Sequence, residues 1–297
     1  MSGDSKMTTE SGRVLVAGAT GYLGGFVAKE FKARGHFVRA LARSRDKLEN
    51  MGDSLDEVIE AEVTHPHSLE GVCDGIDVVF SSVGITKQKG KLTFKDVDYQ
   101  GNKNLLDAAL RAGVKKFIYV SVFNGPNLPF LAIVKAHEDF VDALKASGME
   151  YVVIRPTGFF SDMGEYMKMA RKGKVYLFGD GSNRINPIHG ADLAVTCVDA
   201  VDGADKEIDV GGPEVLTHRQ IAELTFRVLG KQEKISSVPM WLMRPIVSLT
   251  KVFNRHEGEL LAFLTTAMSV DAVAPTAGTH SLEAHFKDIA TLDRSET

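Results

Sequence analysis

The chain has 297 residues, 44% of them hydrophobic and 25% charged, and 35 Lys plus Arg stand against 39 Asp plus Glu for a net charge of −4. This is ordinary globular composition; it argues against a fibrous repeat or a disordered chain, and the missing basic surplus argues against a nucleic-acid partner. Two cysteines, Cys73 and Cys197, without CxxC spacing exclude a disulfide framework or a zinc module and read as idle thiols in a reducing compartment.

Residues 1–12 are polar, with Asp4 and Glu10, and match neither a secretory signal nor an Arg-rich transit peptide; a flexible tail is expected. No run approaches the ~18 apolar residues that cross a bilayer. A cytoplasmic chain is therefore expected, or an organellar one if a pre-sequence was removed. Arg13–Ala17 is a short β-branched apolar run that stops at Gly18. Gly18-x-x-Gly21-x-x-Gly24 follows, and helical spacing then runs from Phe26 to Ala33 before Gly35. In that strand–turn–helix setting the first glycine permits the tight turn and the second lets backbone approach a pyrophosphate. The third lets the helix pack close to the strand, so the segment reads as a dinucleotide-binding turn.

His36–Ala42 alternates as a second strand and ends in Leu41-Ala42-Arg43-Ser44-Arg45. No carboxylate occurs between Glu30 and Asp46. An acidic residue at this strand end would hold the ribose 2′-hydroxyl of NAD, whereas Arg43 suits a 2′-phosphate, so NADP(H) is favoured over NAD(H). A solvated basic rim is the bland alternative. Further strands are predicted at 57–63, 77–84, 116–121 and 151–155, with helices at 67–72, 99–112 and 136–146. Alternating strands and helices with near-continuous apolar strands predict an α/β chain: a Rossmann-type doubly wound parallel sheet with a smaller C-terminal substrate lobe. Its cofactor domain spans 13–157, with a last strand near 207–211, and the lobe occupies 158–297. In the lobe, helices are predicted at 192–201 and 218–229, with Asp192 as the cap of the first. Val238 to Phe253, with Trp241, reads as a pocket lid, a dimer face or an amphipathic membrane segment, and Pro245 argues against one unbroken helix.

Gly18-Ala19-Thr20-Gly21-Tyr22-Leu23-Gly24, Lys116–Ser121, Lys135 and Ile154-Arg-Pro-Thr-Gly-Phe-Phe160 together resemble the atypical short-chain dehydrogenase/reductases. The similar branches are the NmrA-like, isoflavone-reductase-like and divinyl chlorophyllide reductase-like proteins. The resemblance implies that Gly18 to Gly24, Arg43, Ser82-Val83-Gly84 and Pro156 line the cofactor, with Glu62-Val63 beside the adenine. It implies Ser121 at the family's serine position and Lys135 at its lysine position, where lysine also meets the cofactor. Ordinary members add a tyrosine four residues before the lysine. Here that residue is Leu131, which cannot donate a proton.

Two readings follow. One is an NADPH-dependent reductase of a small apolar or aromatic substrate, reducing C=C or C=O, with Lys135 and Ser121 catalytic. The other is a non-catalytic NADP(H)-binding redox sensor or scaffold. Phe159 and Phe160 are expected to wall the substrate pocket, and Tyr166 is favoured over Tyr99 and Tyr119 as a replacement for the missing tyrosine. His137 lies two residues beyond Lys135, on a different helix face, and carries little weight as a proton donor. His65 and His67 lack ligand partners, so no metal is expected. Neither nucleic acid nor a membrane is expected as partner, and the chain is read as a monomer or homodimer.

Overall fold

Val14, Leu15 and Val16 are fully buried in β1 (Arg13–Ala17), which places this strand inside a sheet covered on both faces. A computed structural model describes residues 12–85 and 92–295. All but the last residue of the expected tail lies outside the described residues. β1 pairs in parallel with β2 (Phe37–Ala42) on one side and with β4 (Val78–Ser81) on the other. With β3 (Glu57–Glu60), β5 (Lys116–Val120), β6 (Glu150–Pro156) and β9 (Glu207–Val210), the sheet has seven strands in the order β3-β2-β1-β4-β5-β6-β9. Every neighbouring pair is parallel. This is the doubly wound Rossmann-type sheet.

Strand alternation divides the apolar residues between two layers. Val14 and Val16 join Val27 and Phe31 of α1 (Tyr22–Ala33) and Leu193 and Cys197 of α5 (Gly190–Asp199) on one face. Leu15 and Val79 join Leu105 of α2 (Asn102–Ala112) and Phe140 and Leu144 of α3 (Ala132–Ala146) on the other. Strand order reverses between β1 and β4, so the chain parts there and leaves a crevice at the carboxyl ends of the strands.

A second core lies outside the sheet. α4 (Phe160–Arg171), α6 (His218–Leu229) and α9 (Leu282–Ser295) pack around β7 (Val175–Phe178), which pairs in parallel with β11 (Ile235–Val238). Phe160, Met167, Leu177, Ile221, Phe226 and Phe286 fill this core. β8 (Arg184–Ile185) and β10 (Leu216–Thr217) form a short antiparallel pair beside it. α7 (Met240–Phe253) and α8 (Arg255–Ala267) make a hairpin against the start of α3.

Several elements differ from expectation. Residues 66–69 form only a 3-10 turn, and the helix expected at 99–112 opens as a π-helical turn, Lys95–Gly101, before α2. α3 starts four residues early, without a side-chain cap at Leu131, because Ile133, Val134 and Ala136 already bury its first turn. α7 runs through Pro245, the sixth residue of the helix; the exposed ring costs one hydrogen bond, to the carbonyl of Trp241, itself an exposed residue. Asp192 does not cap its helix: His189 does, its Nδ1 accepting from Ala191 N at 3.2 Å. The Asp192 carboxylate instead accepts from Thr279 N and His280 N at 3.1 and 3.0 Å and so fastens the C-terminal segment.

Candidate active site

The crevice at the switch point is a cleft of about 290 Å³. Gly18, Thr20 and Gly21 form its floor at the end of β1, and Leu41, Ala42 and Arg43 line it from β2. Ala61, Glu62 and Val63 follow β3, and Ser82, Val83, Gly84 and Ile85 follow β4. The glycine turn is built for close approach. Gly18 sits at φ +92°, a left-handed conformation in which a Cβ would also come within 2.8 Å of Ser82 Oγ. A Cβ on Gly24 would fall 2.1 Å from the Gly18 carbonyl oxygen, so its absence is what lets α1 lie against the turn. Gly21 caps α1 without a side chain, and no acidic residue occupies the first turn. The free N–H groups and the helix dipole there suit an anion such as a pyrophosphate. Arg43 is half exposed at the rim, its Nε 3.7 Å from Glu62 Oε2.

Of the residues expected to meet a cofactor, Gly18, Thr20, Gly21, Arg43, Glu62, Val63, Ser82, Val83 and Gly84 line the cleft. Ala19 and Leu23 are buried beneath it. Tyr22 turns away, its hydroxyl accepting from Gly190 N at 3.0 Å and its ring edge-on to Phe159 with centroids 5.9 Å apart. Burial raises the Tyr22 pKa. Pro156 is buried at the end of β6. Phe160 and Tyr166 belong to the second core rather than to the cleft; the Tyr166 hydroxyl lies 2.8 Å from His218 Nδ1. Phe159 packs against the sheet core as a half-buried ring.

Ser121 and Lys135 are each bonded to a different carboxylate of α3. Lys135 is exposed on α3 and its Nζ donates to both oxygens of Asp139, at 2.6 and 2.8 Å. Ser121 Oγ donates to Glu138 Oε1 at 2.7 Å, and Glu138 Oε2 accepts from the buried Arg155 at 2.9 Å. The side chain beside the end of β4 is instead His137. Tyr119 is fully buried, and burial first, then Asp98 and Glu138, hold its phenol well above the ordinary range. Its hydroxyl lies 2.6 Å from His137 Nδ1, and His137 Nε2 lies 3.3 Å from Asp98 Oδ1, a buried oxygen with no hydrogen-bond partner among the described residues. Asp98 is fully buried and its Oδ2 accepts from Ile85 N at 3.3 Å. Asn102, also fully buried, accepts from Ser81 Oγ at 2.6 Å and donates to Val83 O at 3.0 Å, which fixes the strand end. A Cβ on Gly84 would sit 3.0 Å from Asp98 Oδ1 and 3.7 Å from His137 Cε1, so both side chains lie close against the cleft wall here. Asp98 and Asn102 share a helix face at i, i+4 spacing, which is the one sequence signal that pairs them. Among the described residues no cluster of His, Cys, Asp and Glu could hold a metal ion.

A family model described as NAD(P)H-binding matches residues 18–203, from the glycine turn to just beyond α5. The chain belongs to this NAD(P)H-binding family. Within it, the chain is an atypical short-chain dehydrogenase/reductase. Divinyl chlorophyllide a 8-vinyl-reductase, chloroplastic, of Cucumis sativus is 35% identical over 252 residues, covering 77% of this chain and 60% of that protein. The chain thus spans less than two thirds of that relative's length. Photosystem II assembly factor Ycf39 of Synechocystis sp. is 28% identical over 249 residues, covering 82% of this chain and 75% of the relative. An NADPH-dependent quinone oxidoreductase from Escherichia coli, solved with NADPH, has the same fold: its TM-score is 0.74 at 18% identity, with 93% of this chain and 99% of that chain covered. The chain is therefore a member of an NAD(P)H-binding Rossmann-fold oxidoreductase family.

Proposed function

We propose that the protein is an NADPH-dependent reductase of a small apolar or aromatic substrate, acting on a C=C or C=O bond without the family's tyrosine. The observation that carries this is the cleft itself, which runs from Arg43 past the open N-terminus of α1 to the end of β4. Arg43 would meet the 2′-phosphate and make NADP(H) the preferred cofactor, while the α1 amides would hold the pyrophosphate. Bound NADPH would supply a hydride. Lys135 is the proposed proton donor: its exposed chain can leave Asp139, a surface ion pair worth only ~0.5 kcal/mol. Ser121 would orient the substrate, and Phe159 would face its apolar body. The names of the cucumber reductase and the E. coli quinone oxidoreductase support a substrate of this class. The cucumber protein is chloroplastic, so fusion of the full-length gene product to a fluorescent reporter separates a plastid from the cytoplasm.

A second reading, a non-catalytic NADP(H)-binding sensor or scaffold, has its own support. Leu131 stands where the tyrosine would, Ser121 and Lys135 are engaged elsewhere, and one relative is named as an assembly factor. Calorimetry with NADPH and NADH, followed by a screen of aromatic enones and quinones, tests both. Under the reductase reading NADPH binds more tightly than NADH, and Arg43→Ala weakens NADPH by about tenfold to a hundredfold while sparing NADH, as loss of a charge-assisted contact predicts. Turnover falls by about tenfold or more in Lys135→Ala with NADPH affinity kept. Turnover unaffected in Lys135→Ala but lost in His137→Ala would move the proton donor to His137. Tight binding without turnover across the panel would favour the sensor.

A further inference from the structure

The solvent side of α7 is divided lengthwise in a way that the cleft does not use. Met243, Val247 and Thr250 repeat at i, i+4, i+7 and form the buried or half-buried seam of the helix. Trp241, Leu249 and Val252 form a second stripe at i, i+8, i+11, and Ile246, Leu249 and Phe253 extend it around the helix. Val252 and Phe253 are 79% and 81% exposed, and Trp241 is 71% exposed. Arg244, Ser248 and Lys251 form a third stripe along the edge of the second, and neither cation has an acidic partner within 4.0 Å among the described residues. On α8, Arg255 is spent on Glu259 at 2.9 Å. Trp241, Ile246, Leu249, Val252 and Phe253 are thus large apolar side chains left open to solvent on one helix, the kind of clustering that marks an interaction surface. A cavity of about 750 Å³ opens beside it, where Phe130, 69% exposed, faces Met240 and Val247.

We infer that α7 is an interfacial anchor that lays its apolar stripe into a bilayer carrying anionic headgroups. Arg244 and Lys251 would reach the headgroups while Trp241, Leu249, Val252 and Phe253 enter the acyl boundary, as in helices that lie in the membrane plane. A second copy of the chain is the poorer occupant, because a two-fold pairing would set the same cationic stripe against itself. No described helix is long and apolar enough to cross a membrane, so the contact is peripheral.

Trp241 is the sole tryptophan of the chain, so intrinsic fluorescence reports on α7 directly. The full chain is titrated with vesicles of phosphatidylcholine alone and of phosphatidylcholine with phosphatidylglycerol, with co-sedimentation alongside. The expected result is a blue shift and sedimentation with the anionic vesicles, abolished in a Val252→Glu/Phe253→Glu variant. Arg244→Ser/Lys251→Ser should weaken anionic binding by about tenfold to thirtyfold. All four side chains are exposed, so circular dichroism should be unchanged in both variants. No shift with either vesicle overturns the proposal, as does equal binding to neutral vesicles. A shift that follows protein concentration without lipid, with a dimer mass in sedimentation, would assign the face to a second copy instead.

Discussion

Gly21 and Gly24 stand three positions apart in one motif, yet a methyl group would meet very different surroundings at each. On Gly24 it would lie 2.1 Å from the Gly18 carbonyl oxygen and 2.9 Å from Ala19 N, both backbone atoms that cannot step aside. On Gly21 the nearest atom is the Gly18 oxygen at 3.2 Å, and the position faces the cleft. Gly24→Ala should therefore lower stability by about 2 kcal/mol or more through overpacking, read as a drop in thermal midpoint of the free protein. Gly21→Ala should leave that midpoint nearly unchanged and weaken cofactor binding, because its methyl stands where a phosphate would approach. Equal midpoints for the two variants would mean that the helix does not depend on this close packing. The glycine turn was legible in the sequence because its signal is local and fixed in spacing. The grouping of Tyr119, His137 and Asp98 was not, since these residues come from β5, α3 and the turn before α2, and nothing in any one segment announces the other two.

At the scale of elements, α3 shows how neighbouring residues on one helix acquire unequal weight. Lys135 and Asp139 form an exposed i, i+4 pair, whereas Glu138 is turned inward against Arg155, which is 4% exposed. Arg155 also pairs with Glu207 of β9, and Lys145 of α3 reaches Glu207 at 2.5 Å, so α3, β6 and β9 are tied through one set of charges. Removing one member of a buried pair strands its partner. Arg155→Met should cost about 3 kcal/mol in urea unfolding, whereas Asp139→Asn should cost no more than ~0.5 kcal/mol. Comparable losses would show that the Arg155 charges are as well solvated as the surface pair. The sheet strands were readable because apolar runs bounded by turns recur at βα spacing. α4 was not read as a helix: its pattern is interrupted by Gly164, and tertiary packing of Phe160, Met163 and Met167 supplies what propensity does not. The start of α3 escaped notice because Leu131 offers no capping side chain.

The whole molecule rests on two cores, and histidines sit at and beneath their junction. His189 stacks on His280 with centroids 4.3 Å apart and meets the edge of Phe160, which also faces His285. Desolvation lowers the pKa of His189, with His280 and His285 adding to it, and desolvation likewise lowers that of His285. Deeper in the second core, burial pushes His218 down to about 4, where its neutral ring accepts the Tyr166 hydroxyl. All three rings are favoured neutral in the fold. In the unfolded chain each takes a proton near pH 6.5, so the unfolded state binds more protons between that value and the lowered one. Their stabilising contribution is thus fully present above about pH 6.5 and is lost progressively as pH falls, for His218 down to about 4. Asp56, held low by Lys32 and Val38 N despite its burial, and Asp77, held low by Lys115 and Arg13 N, lose their contributions only below the ordinary carboxylate range. Above that range the histidines act against Asp162, whose carboxyl is raised by burial and so favours the fold as pH falls. Moving from about pH 7.5 to about pH 5 should lower the unfolding free energy by about 2 kcal/mol for His218 alone, with smaller additions from His189 and His285. Urea unfolding of the native chain and of His218→Gln at both pH values measures this: the variant should show the shallower pH dependence whatever its own stability. Parallel behaviour of the two proteins would place the acid sensitivity at the His189–His285 junction rather than inside the second core.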